Sequence, residues 1–89
     1  MSRIKHGTLG ANTPATVDLD DAFNAVEVVI TANPAAIYFR VDGVTPTVKG
    51  DDCQVVVGTL GAALSVSCPT NTQVIMISTG TPDYCVRGL

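Results

Sequence analysis

Apolar and polar residues alternate with a period of two along most of the chain, the spacing of strands that bury one face. Ala15, Val17 and Leu19 alternate with Thr16 and Asp18. Val26, Val28 and Ile30 alternate with Glu27, Val29 and Thr31, and Asn33-Pro34 ends that run. Ile37, Phe39 and Val41 alternate with Tyr38 and Arg40, and Leu64, Val66 and Cys68 with Ser65 and Ser67. Residues 3–9 alternate weakly and stop at Gly10-Ala11-Asn12. Further strands are predicted over 53–58 and 83–87. The segment 73–78 differs, because Val74, Ile75, Met76 and Ile77 follow one another and both faces are apolar. That pattern predicts a central strand, or a strand with one face in an interface.

Turn residues separate these runs. The loop from Asp42 to Asp52 holds Gly43, Pro46 and Gly50, and shorter turns are predicted over 59–61, 69–72 and 80–82. The one helical signal is a short acidic turn over 20–25. Seven to eight short strands at this spacing predict an all-β chain. It is either an antiparallel β-sandwich (Ig-like or jelly-roll-like) or a small barrel. Residues 13–89 form the single domain, and residues 1–12 read as an N-terminal arm or edge strand.

Length and composition narrow the class. The chain has 89 residues, 46% of them hydrophobic and 15% charged, with a formal net charge of -3. The apolar fraction is too high for a disordered chain. No apolar run approaches the roughly 20 residues of a membrane-spanning helix. Five Lys and Arg residues scattered through an acidic chain make a poor phosphate-binding surface, so neither nucleic acid nor membrane is an expected partner. The charged fraction falls below the roughly 25% of a typical domain, while Val and Thr supply 24 residues. Two readings of that surface stay open: burial against neighbouring subunits, or a small Thr-rich β domain with few charges. Residues 1–6 lack the apolar core of a secretory signal, so free and mostly buried thiols are expected for Cys53, Cys68 and Cys85.

Candidate chemistry is sparse. His6 is the only histidine, and no G-x-S-x-G elbow is present, so no catalytic residue is assigned. The cysteines are 15 and 17 residues apart with no CxxC pair, so neither a metal site nor a cofactor is expected. The carboxylates at 18, 20, 21, 51 and 52 read as solvated loop groups. No glycine-rich phosphate loop occurs. Tyr38 and Arg40 share one strand face, as interface anchors or as an ordinary surface pair packed along a sheet. The ending Arg87-Gly88-Leu89 directly follows a predicted strand, an arrangement expected to dock in its own sheet or on a partner.

Several segments resemble small structural proteins of tailed bacteriophages. These are Thr13-Pro14-Ala15-Thr16-Val17-Asp18-Leu19, Val26-Glu27-Val28-Val29, and the run from Ile37 to Thr47 with the form I-Y-F-R-V-D-G-x-x-P-T. The ending Tyr84-Cys85-Val86-Arg87-Gly88-Leu89 is similar too. The resemblance covers residues 13–89 and is a fold-level signature without a catalytic motif. It implies a non-enzymatic capsid decoration (cement) protein, made in the host cytoplasm and carried on the virion exterior. It would bridge major capsid proteins as a homo-oligomer, with a trimer favoured. The alternative is a tail- or fibre-associated β module that binds a host receptor or glycan. Tyr38, Arg40, Val74, Met76 and Arg87, with the N-terminal arm, are the expected contact residues.

Overall fold

The computed structural model describes residues 4–19, 23–51, 53–67 and 73–89. Eight strands run in chain order: β1 (Ile4–Thr8), β2 (Ala15–Asp18), β3 (Ala25–Ala32), β4 (Ile37–Arg40), β5 (Gln54–Val56), β6 (Ala63–Ser67), β7 (Gln73–Ile77) and β8 (Asp83–Gly88). No helix occurs among the described residues. The turn expected over 69–72 lies outside the described residues, as do residues 20–22 of the acidic turn expected over 20–25. Of those positions, Ala25 opens β3.

The strands form two four-stranded sheets, ordered β1-β8-β3-β6 and β2-β7-β4-β5, with every strand pair antiparallel. The pairs β1–β8, β2–β7, β3–β6 and β4–β5 together describe one long hairpin whose tip is the loop between β4 and β5. The pairs β3–β8 and β4–β7 then roll that hairpin into two layers. This is the jelly-roll winding of a β-sandwich, one of the two sandwich topologies the strand pattern left open.

Period-2 alternation becomes burial in a single core. Val26, Val28 and Ile30 of β3 point inward with Tyr84 and Val86 of β8. From the facing sheet come Val17, Val74, Met76, Ile37, Phe39 and Val56. Leu9 and Leu19, just past the ends of β1 and β2, close the core from the side. The molecule measures 18 Å along its shortest axis, as two sheets about 10 Å apart with their outer side chains require.

Of the chain's six crossings between the sheets, those from β1 to β2 and from β7 to β8 lie side by side, and backbone hydrogen bonds join them. Leu9 N–H donates to the Pro82 carbonyl (3.0 Å), and Asn12 N–H donates to the Ser78 carbonyl (2.7 Å). Asn12 and Asn33 take left-handed conformations (φ 54° and 49°) at the two breaks where the sequence placed them. Asparagine tolerates that region better than other non-glycine residues.

Two glycines in the first sheet are fixed by close approach rather than by a turn. Gly7 stands opposite Tyr84, whose ring lies where a Cβ would project from Gly7. Gly88, at the other end of β8, is covered in the same way by the Phe23 ring. Gly7→Ala is therefore expected to cost about 1–3 kcal/mol in urea unfolding, through displacement of the Tyr84 ring. Gly10→Ala serves as the control, because a Cβ there meets only Thr13 at 3.5 Å, and it stays within about 0.5 kcal/mol. Phe39→Ala, which empties the centre of the core, costs about 3–5 kcal/mol.

Candidate interaction surface

The described residues enclose no pocket. Nor do they bring together three or more His, Cys, Asp or Glu side chains able to hold a metal ion. Chemistry on this scaffold is therefore sought on its outer faces and edges.

The five expected contact residues do not share a surface. Tyr38 and Arg40 point outward from the β2-β7-β4-β5 sheet and are half-buried. Arg87 lies on the outer face of the other sheet. Val74 and Met76 point inward and are fully buried, so neither can meet a partner, and the expectation for these two is corrected. Their register explains the orientation, since Val74 pairs with inward Val17 and Met76 with inward Ala15 and Phe39. The residues of β7 that face out are Ile75 and Ile77, each 8% exposed. Residues 4–8, from the expected arm, form the edge strand β1.

The outer face of the β2-β7-β4-β5 sheet carries an apolar band. Ile75 lies between Thr16 and Arg40 in the register. Tyr38 lies between Ile77 and Val55. Val57 follows Val55 two residues along, and Leu60 sits in the next turn. Val55, Val57 and Leu60 are 44%, 62% and 61% exposed. These three side chains lie in and just after the short edge strand β5 and are exposed there.

Arg40 is held by the bend that follows its strand. Asp42 lies in that bend, and the Arg40 guanidinium meets it through Nε–Oδ1 (3.0 Å) and Nη2–Oδ2 (2.5 Å). Asp42 Oδ1 also accepts the Val44 N–H (3.2 Å) across Gly43, whose φ is 81°. Pro46 is buried and anchors the loop that follows. The Arg40 hydrogen bond, helped by the Val44 N–H, lowers the Asp42 pKa from the usual carboxylate range to about 2.

On the opposite sheet, Arg87 Nε donates to Glu27 Oε1 (2.6 Å), and Ser65 Oγ donates to Glu27 Oε2 (3.3 Å). Ile4, Arg87, Glu27 and Ser65 thus form a row across four strands. His6 stands opposite Cys85 on this face, a juxtaposition the sequence spacing does not show. Burial pushes the Cys85 thiol up, opposed by Arg87 and reinforced by Glu27. The pair thus lacks the lowered thiol pKa of an activated nucleophile. Cys53 and Cys85 are free thiols, both half-buried, and Cys68 lies outside the described residues. Cys53 Sγ donates to the Thr47 carbonyl at 3.4 Å.

No family model, curated protein or solved structure matches the chain.

The Asp42 shift has a testable sign. Its folded value lies below the ordinary unfolded value of about 3.9, so the ion pair adds stability above that pH and loses it as pH falls toward about 2. Carboxylate titration by NMR should give a midpoint near 2 for Asp42. In Arg40→Gln the midpoint should return to the ordinary carboxylate range.

Proposed function

We propose that this chain is a non-enzymatic virion structural protein that decorates the exterior of a tailed-phage head and binds the major capsid protein. The observation that carries the reading is the exposed apolar cluster of Val55, Val57 and Leu60 at the β5 flank, with half-buried Tyr38 beside Val55 on the outer face of the sheet. Exposed apolar side chains gathered together mark a surface suited to a protein partner. Tyr38 is the aromatic anchor beside that cluster, and the Arg40–Asp42 pair forms a polar border beside it.

Three further features support the reading. The surface is sparsely charged, so docking leaves few ions to desolvate. The acidic balance suits an outer position better than contact with packaged DNA. The segment from Ile37 to Thr47, which carries the strongest resemblance to phage structural proteins, builds β4, the Asp42 turn and the Pro46 anchor beside the band. A cement role needs no reactive group. Each bound copy adds its interface free energy to the shell, and neighbouring copies that touch raise one another's occupancy through effective concentration.

Quantitative mass spectrometry of density-purified particles tests the reading. The chain should occur at a copy number comparable with the major capsid protein, and cryo-EM should place it on the outer surface. Val57→Asp, a change at a largely exposed site with little bearing on folding, should lower shell occupancy about tenfold or more. A chain absent from particles, or present in only a handful of copies, would sink the proposal. The low copy number would favour the tail-associated alternative.

A further inference from the structure

We infer that β6 is a dimerisation edge, at which two copies of the chain pair strand to strand across a two-fold axis and join their β1-β8-β3-β6 sheets. This sharpens the oligomer expected under the decoration reading, but its argument rests on the edge alone.

A sandwich of two open sheets has four edge strands, and natural edges are guarded against pairing by charge, proline, bulges or short length. Three of the four carry such a guard. β1 bears Lys5, β2 follows Pro14 and bears Asp18, and β5 has only three residues. β6, with the sequence Ala-Leu-Ser-Val-Ser, has no charge and no proline. Its register with β3 runs through five residues without a bulge.

The ladder shows which backbone groups this edge offers. Ile30 N–H donates to the Ala62 carbonyl, which fixes the phase of the β3–β6 pairing. Hydrogen-bonded pairs alternate along an antiparallel ladder, so Leu64 and Val66 direct their N–H and C=O groups at β3. Ala63, Ser65 and Ser67 direct theirs away from it. Among the described residues, no backbone group beyond β3 meets them.

This edge is complementary to itself. With Ser65 on the two-fold axis, Ser65 meets its own copy, and Ala63 meets Ser67 in both directions. All three outward residues then form hydrogen-bonded pairs, about six backbone bonds in all. The same register sets Leu64 against Val66 of the second copy in the closer, non-hydrogen-bonded positions. Both side chains are half-buried against the core, and the pairing would cover their exposed parts. Charge does not oppose the arrangement. Glu27 is the nearest carboxylate on β3 and is paired with Arg87. Its copy would lie three strand spacings away, about 14 Å, beyond the Debye length at physiological salt. An isologous strand pair closes with two copies, so it departs from the trimer that the phage resemblance favours.

Sedimentation velocity on the whole chain tests this, with hydrogen exchange as a second readout. The wild type should run at twice the 9.2 kDa chain mass and dissociate on dilution. Its Ala63, Ser65 and Ser67 amides should gain protection as the dimer forms. Ser65→Pro removes an N–H that points away from β3, so it should leave the fold's circular dichroism unchanged and give a monomer. Ser65→Lys places like charges together on the axis and should weaken the dimer at low salt, with recovery as salt rises. A monomeric or trimeric wild type, unprotected edge amides, or variants that dimerise like the wild type would overturn the inference. Shell binding is scored separately. A monomer that still coats heads rejects only the dimer, whereas a dimer that never binds them rejects only the decoration role.

Discussion

Two short sheets must share one thin layer of side chains, and every other feature of this molecule is arranged around that layer. One sheet supplies Val26, Val28, Ile30, Tyr84 and Val86, and the other supplies Val17, Ile37, Phe39, Val56, Val74 and Met76. The chain has no Trp and two residues each of Phe and Tyr, so most of the layer is aliphatic and much of it β-branched. Such side chains have few rotamers in a strand and settle at little entropic cost. The core is thin but well determined, and half of each strand is committed to it. Any contact with another molecule must use the other half, the edges or the loops.

β8 shows how that layer is closed. As the strand between β1 and β3, it has neighbours on both sides. Its two ends are sealed by aromatic rings over glycines, Tyr84 on Gly7 and Phe23 on Gly88. In each case the missing Cβ is what admits the ring. Burial raises the Tyr84 pKa, in keeping with its place at the margin of the core. The Leu89 N–H donates to the Ala25 carbonyl at 2.9 Å and extends the β3–β8 pairing past the strand.

Much of this was legible in the alternation. The inward sets of β2, β3, β4 and β6 follow from period 2, because each segment has one apolar and one polar face. β7 could not be read this way. With Val74, Ile75, Met76 and Ile77 in succession, either parity satisfies the pattern. Only pairing with Val17 and Phe39 decides that Val74 and Met76 go in while Ile75 and Ile77 go out. The same limit separates two ion pairs. Arg40 and Asp42 are two residues apart in the chain, so their contact had a local signal. Glu27, Ser65 and Arg87 come from three strands far apart in the chain, and His6 meets Cys85 only through the β1–β8 register. A jelly roll pairs the beginning of the chain with its end, so most lateral neighbours on its surface are invisible to local pattern.

The placement of the few charges also bears on how such a surface associates. Arg40 is matched by Asp42 and Arg87 by Glu27, each pair on the outside of a different sheet. Other charged side chains stand on edge strands, Lys5 on β1 and Asp18 on β2, where they discourage pairing. The β5 flank with Val55, Val57 and Leu60, and the β6 edge beside it, carry no charged residue at all. Long-range electrostatic attraction has little to act on at those two places, and long-range repulsion has equally little. Association there must rest on apolar burial at β5 and on backbone hydrogen bonding at β6, both short-ranged and weakly dependent on salt. Contacts of that kind reward a partner whose shape is already fixed, because neither term acts until the surfaces meet. A rigid sandwich suits them better than a flexible chain, since its ordering entropy has been lost on folding rather than on binding.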